Sequence, residues 1–312
     1  MSAAVGPSPD EPVSVGTSQA GPFDDPAPWL FRWGLRNAVP VPGSRYNKVW
    51  QVQRSDGRPA VLKVGDPLAR RREAAALRCW TGDGAAELLA ADGPALLSGF
   101  VAHTSTVAAL ADDDATAAVA QVMSRLHRAE VASATASITG GILPSIDELP
   151  DVSGLGFDFR WLREQPSAPI DTSVIDAAER QLAWLVDTTQ RRVVLHGDLH
   201  HDNLLVTDAG PVAIDPHGWL GDPHFDAASL MANPFGEFSR HAQPLALARR
   251  RAMIIAETCG LDIDRLLQWT FVGAVIAEIW CLQDHGVLHG APLRLAQDVL
   301  SGEPTLIPAA SG

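Results

Sequence analysis

The sequence predicts an α+β chain in which a small strand-rich segment precedes a larger, mainly helical one. Three observations carry this. Short apolar or alternating runs at residues 48–54 and 59–64 flank the turn signal Ser55-Asp56-Gly57. From Asp112 onward the apolar residues recur at helical spacing. With 312 residues, 46% of them hydrophobic, the chain can fill one large core or two lobes.

The elements follow in order. Residues 1–28 are dense in Pro, Gly, Ser and Asp without an apolar period, and read as a disordered leader. Residues 30–35, 48–54 and 59–64 read as strands, with a further turn at Pro42-Gly43. Residues 66–80 read as a helix with Leu68, Ala75, Ala76 and Leu77 available to a sheet. Residues 115–128 form a second helix, with Asp112 to Asp114 at its positive end. Residues 176–188 form a third, with Leu182, Leu185 and Val186 on one face. A buried-type strand at 192–195 precedes a hairpin of 203–206 and 212–214 around Thr207-Asp208-Ala209-Gly210. Helices at 245–259 and 263–284 close the pattern.

Composition narrows the partners. A formal charge of −13 disfavours nucleic acid, whose phosphates need Lys and Arg. The charge divides unevenly, +5 over residues 29–101 and −14 over 102–312. A basic half suits a polyanion and an acidic half a cation, although acidic surface also serves solubility alone. No run of roughly 18–20 uninterrupted apolar residues marks a membrane span, and no basic start with an apolar core marks a secretory signal. Cys79, Cys259 and Cys281 form no C-x-x-C pair and suit a reducing cytoplasm. Of 24 basic residues only Lys48 and Lys63 are lysine, and both fall in the same short region. Lysine offers a compact point charge that the planar Arg fork does not reproduce.

The densest polar cluster is His196-Gly197-Asp198-Leu199-His200-His201-Asp202-Asn203, bracketed by apolar strands. The hairpin's second strand ends in Ile214-Asp215-Pro216, so antiparallel pairing brings Asn203 and Asp215 towards Asp198. All three offer oxygen, which suits Mg2+ and not zinc. Three readings compete. Asp198-Leu199-His200 has the D-x-H form of metallophosphoesterases, but Gly221 to Asp226 is one residue too long for their G-D-x-x-D, and the downstream G-N-H is absent. The histidines 196, 200, 201, 217 and 224 also read as loop and core residues. The third reading is a phosphotransfer loop, H-x-D-L-x-x-x-N, with Gly197 where protein kinases carry Arg. Lys63 in Ala60-Val61-Leu62-Lys63-Val64 resembles V-A-I-K, and Glu73 ten residues on is placed to pair with it.

With these residues in view, the chain resembles the aminoglycoside/hydroxyurea phosphotransferases, the streptomycin 6-phosphotransferases above all. The likeness rests on Leu195 to Asn203, Ala213-Ile214-Asp215-Pro216, Gly221-Asp222-Pro223 with Asp226, and Leu77-Arg78-Cys79-Trp80-Thr81-Gly82-Asp83-Gly84. Trp280 and Asp284 also match. The resemblance implies a bilobal protein-kinase-like fold with a β-rich N-lobe (29–101) and a larger, mainly helical C-lobe (102–312), and with MgATP between them. It implies Asp198 as catalytic base, Asn203 and Asp215 as Mg2+ ligands, and Lys63 with Glu73 on the phosphates. His196 and Asp226 support the catalytic loop, and the hinge at 97–101 binds adenine through its backbone. Two departures stand out: the phosphate loop has the single Gly43, leaving Ser44 and Asn47 to serve, and Ala95 to Phe100 lacks an acidic hinge residue.

The expected acceptor is a small molecule bearing a hydroxyl, of the aminoglycoside type, with hydroxyurea, a sugar or an amino alcohol as alternatives. Glu278 inside an apolar helical run, Asp284 near that helix's end and Asp222 are the acids expected to meet a cationic acceptor. An internal partner for Glu278 among residues 249–251 is the competing reading. A cytoplasmic monomer or weak dimer is expected.

Overall fold

The computed structural model describes residues 25–42, 48–129, 143–146, 155–165, 170–234 and 241–302. Ser44, Asn47 and the leader through residue 24 lie outside the described residues.

The N-lobe is a five-stranded antiparallel sheet in the order β1-β2-β3-β5-β4. Its strands are β1 (Arg36–Pro40), β2 (Lys48–Gln53), β3 (Pro59–Val64), β4 (Leu88–Asp92) and β5 (Ala95–Gly99). β2 and β3 pair in full register from Lys48↔Val64 to Gln53↔Pro59 around the expected turn. Side chains alternate along a strand. Ala60, Leu62 and Val64 of β3 therefore enter one core with Val52, Ala95 and Leu97, each large aliphatic contributing roughly 1.5–3 kcal/mol. Lys63 points to the other face. There it meets α2 (Pro67–Trp80), whose start is capped by Asp66 accepting from Ala69 N at 2.7 Å.

The expected strand at 30–35 is instead a helix, α1 (Ala27–Arg32), which begins inside the expected leader. Pro26 and Pro28 preset its first turn, and Trp29, Leu30 and Trp33 pack on the sheet core at helical spacing. β1 and the β4–β5 hairpin are strands that the sequence reading passed over.

The C-lobe is built on seven helices among the described residues: α3 (Asp112–Leu126), α4 (Leu155–Arg163), α5 (Thr172–Asp187), α6 (Ala228–Met231), α7 (Pro244–Cys259), α8 (Ile263–His285) and α9 (Ala291–Gly302). α4 and α9 were not expected. α8 is the central one. Its 23 residues are long and apolar enough to cross a bilayer, but 67% of its most apolar window is buried inside the protein, as in a core helix.

Short strands carry the loops. β7 (Val193–Leu195) pairs with β10 (Trp219–Gly221), and β8 (Leu204–Thr207) pairs with both β6 (Ser105–Thr106) and β9 (Gly210–Ala213). The two lobes share backbone hydrogen bonds: Ala213 N donates to Gly84 O at 2.8 Å, and Ala86 N to Ala213 O at 2.9 Å.

Candidate active site

The loop after β7 is shaped by what its backbone must satisfy. Asp226, buried in a 3-10 turn (Pro223–Ala227), accepts from His196 N at 3.0 Å, Gly197 N at 2.8 Å and His127 Nε2 at 2.9 Å. Burial opposes its charge, yet the His127 contact and these donors hold its carboxyl below the usual range. Gly197 stands where protein kinases carry Arg because its φ is +83° and a Cβ there would sit 3.0 Å from both His217 Cβ and the Trp219 ring.

His196 is fully buried. Its Nε2 donates to Ile214 O at 2.9 Å and its Nδ1 accepts from Asp198 N at 3.3 Å, so both ring nitrogens are used by the neutral form. Burial pushes its pKa down to about 4. The ring also stacks on Trp80 of α2, tying the loop to the N-lobe.

The residues singled out in the sequence converge. Asn203 Nδ2 donates to Asp198 O at 2.9 Å and to Asp198 Oδ2 at 3.1 Å. Ile214 N donates to Asn203 O at 2.9 Å, which brings Asp215 alongside. Asp215 has φ +60°, a left-handed conformation that Asp tolerates better than most side chains and that turns its carboxylate out of the hairpin. Lys63 Nζ, 152 residues away in sequence, donates to that carboxylate and to Glu73 Oε1, the latter at 2.6 Å. Burial lowers the Lys63 pKa, but Glu73 and Asp215 outweigh it and the net shift is upward. Asp215 is held low by Lys63 against its own burial. Asp198 is likewise held low against burial, chiefly by His200.

Lys63 of the N-lobe and Asp198, Asn203 and Asp215 of the C-lobe are thus linked through one chain of contacts. Asp198 also lines an adjoining cavity of about 250 Å3, with His200, Asn233, Trp280, Cys281 and Asp284. Asp215 Oδ and Asn203 Oδ1 supply hard oxygens, and no cluster of three or more His, Cys, Asp or Glu suited to a metal exists among the described residues. That oxygen donor set fits a hard divalent cation such as Mg2+.

Residues 32–285 match the profile of the aminoglycoside/hydroxyurea antibiotic resistance kinases. The chain belongs to that family. It is a phosphotransferase with a small-molecule acceptor, on a bilobal kinase-like fold. It is 30% identical over 277 residues to the streptomycin 6-kinase of Streptomyces griseus, covering 85% of this chain and 84% of that one. It is equally 30% identical over 270 residues to the hydroxyurea phosphotransferase of Kitasatospora aureofaciens, covering 83% and 72%. Among solved structures, an amicoumacin kinase in complex with AMP-PNP and Ca2+ superposes with a TM-score of 0.64 at 14% identity, over 90% of this chain and 94% of that one.

In this family member two of the three expected acceptor acids are engaged elsewhere. Asp222 is 1% exposed and accepts from Arg265 Nε at 2.6 Å, from Trp269 Nε1 at 2.8 Å and from His224. Burial opposes its charge, but His224 and these partners bring its pKa down to about 2. It fastens the 3-10 turn carrying Asp226 to α8. Glu278 is fully buried and accepts from Gly290 N at 2.7 Å and Leu293 N at 3.2 Å, so it caps α9. Of the alternative partners among residues 249–251, Arg250 pairs with Asp113, and Arg251 pairs with Asp112 and donates to the carbonyls of Leu230, Met231 and Asn233. Only Asp284 of the three lines the cavity.

Sequence reasoning missed His127 and Arg70. His127 braces Asp226 from the end of α3, and Arg70 donates to the second Glu73 oxygen from one turn earlier in α2. An Arg three residues before the expected Glu was the available signal for Arg70. A lone His 99 residues from its partner gave none.

Proposed function

We propose that this protein transfers the γ-phosphoryl group of ATP to a hydroxyl of a small cationic molecule of the streptomycin type, in the cytoplasm. The observation that carries the reading is the convergence of Asp198, Asn203 and the Asp215–Lys63 pair beside a cavity whose acidic lining residues are Asp198 itself and Asp284. In this reading the N-lobe ends near residue 101, and the 97–101 strand end receives adenine.

Asp198 orients the acceptor hydroxyl and takes its proton. The acceptor oxygen forms its bond to the γ-phosphorus as the bond to the β–γ bridging oxygen breaks, releasing ADP. Lys63, held by Glu73, would meet the phosphates, and Asp215 and Asn203 would hold Mg2+, which when bound neutralises phosphate charge. The low pKa of Asp198 keeps it ionised at neutral pH, ready to accept a proton as it develops in the transition state.

A second reading, hydroxyurea as acceptor, is favoured by the equally similar hydroxyurea phosphotransferase. Asp284 favours the cation. ADP release measured across streptomycin, other aminoglycosides, hydroxyurea, sugars and amino alcohols decides between them. Asp198→Ala is expected to abolish turnover while ATP still binds, and an active Asp198→Ala enzyme sinks the assignment. Asp284→Asn is expected to raise the acceptor KM about 10-fold or more without changing the ATP KM. An unchanged acceptor KM removes Asp284 from the acceptor wall.

A further inference from the structure

His200 is half of a repeated device in the loop. Like His196, it accepts at Nδ1 from the backbone N–H two residues on, here Asp202 N at 3.2 Å. The remaining hydrogens around it can be counted. Asn203 has two amide hydrogens, and Asp198 O and Oδ2 take both. None is left for His200 Nε2, although Asn203 Nδ2 lies 3.2 Å from it. Asp198 Oδ2 stands 3.4 Å from Nε2, within ion-pair reach. Because Nδ1 accepts from Asp202 N, the proton of the neutral ring sits on Nε2, on the side where Asp198 Oδ2 lies.

We propose that His200 is a positioning residue for phosphoryl transfer, its Nε2–H and the Asn203 amide together fixing Asp198 Oδ2 so that Oδ1 is the oxygen offered to the acceptor. This rests on Asp198 being the base, and it names which of its oxygens works. Among the described residues Oδ1 accepts no hydrogen bond. Asp198 and His200 line the same cavity, so the free oxygen and the acceptor share one space. His200 is kept from rotating because its Nδ1 is tied to the loop backbone. The result is a carboxylate with one oxygen committed and one reactive, which is what proton transfer along a defined line requires.

The two ring nitrogens can be tested apart. His200→Asn retains an acceptor near the Nδ1 position and loses the Nε2 donor. His200→Gln retains a donor near Nε2 and loses the backbone acceptor. The expected result is a kcat loss on the order of 10–100-fold for His200→Asn against less than about 5-fold for His200→Gln, with the ATP KM of both within about 2-fold of wild type. The reverse order, or equal losses that track equal falls in Tm, overturns the proposal and leaves His200 a loop cap only. An acceptor KM that rises with kcat unchanged also overturns it, since His200 would then be only a contact. Long-range 1H–15N correlation on the wild-type chain, above the ordinary histidine pH range, needs no acceptor. Protonated Nε2 and bare Nδ1 support the proposal and the opposite tautomer ends it. A wild-type chain that phosphorylates nothing in the panel ends the functional reading, while the ring tautomer still decides the hydrogen-bond assignment.

Discussion

Replacing Asp226 with asparagine changes one atom in a site where three donors converge on one carboxylate. Its Oδ2 takes His196 N and His127 Nε2, and its Oδ1 takes Gly197 N. An asparagine has one acceptor oxygen and one NH2. With the oxygen kept on the pair, the NH2 is turned against the Gly197 N–H. A buried donor facing a donor costs about 1–3 kcal/mol, and the two surviving bonds each lose about 1 kcal/mol of charge assistance. The total is about 3–5 kcal/mol. At roughly 2 °C per kcal/mol for a chain of this size, Tm falls by about 6–10 °C. The donors at stake belong to residues 196 and 197, immediately before Asp198, so the proposed base shifts with them. A displacement of about 1 Å costs on the order of 100-fold in kcat. Thermal melts read the first effect and ADP release at saturating substrates the second. A variant that melts within about 1 °C of wild type, or that keeps full kcat, refutes Asp226 as the brace of this loop.

Further outcomes follow from the same geometry. Glu278→Ala strands two backbone donors at the start of α9 and is expected to cost about 2–4 kcal/mol with acceptor KM unchanged. A shifted acceptor KM at constant Tm would return Glu278 to the acceptor wall. His196 has a folded pKa of about 4 against an ordinary 6.5, so the unfolded chain binds the extra proton between those values. Stability is then untouched above the upper value and declines by roughly 3 kcal/mol as pH falls to the lower one. Urea melts across that window test this, and a flat profile contradicts it. Gly218 has φ +74°, and a Cβ there would lie 2.5 Å from Arg72 O of α2. Gly218→Ala is therefore expected to push α2 and Glu73 off Lys63 and raise the ATP KM several-fold, against an unchanged KM if the contact is slack.

What could be read from sequence divides along a physical line. β2, β3 and α2 were legible because local pattern and turn chemistry agree there: Ser55-Asp56-Gly57 turns, Asp66 caps, and Lys63 interrupts an apolar strand. The convergence of Asp198, Asn203 and Asp215 was legible because the loop and the hairpin after it are set by short-range spacing and antiparallel pairing. The 30–35 segment misled because Trp29, Leu30 and Trp33 suit either period, and only the prolines before them favour a helix. Glu278 and Asp222 misled for a different reason. A buried carboxylate announces that it has a partner, but not whether the partner is a ligand or the protein's own backbone. For Glu278 the partner is the start of a helix that the sequence reading did not place. For Asp222 it is Arg265 and Trp269, more than forty residues on. Such pairings depend on tertiary packing, which no local period encodes.

The backbone bonds between Ala213 and residues 84 and 86, with Gly218 pressed on Arg72, bolt the helix that carries Glu73 to the strand leading into Asp215. The lobes are thereby joined main chain to main chain, and the Lys63–Glu73 pair is closed. Any displacement of that helix must therefore carry the Asp215 strand along with it.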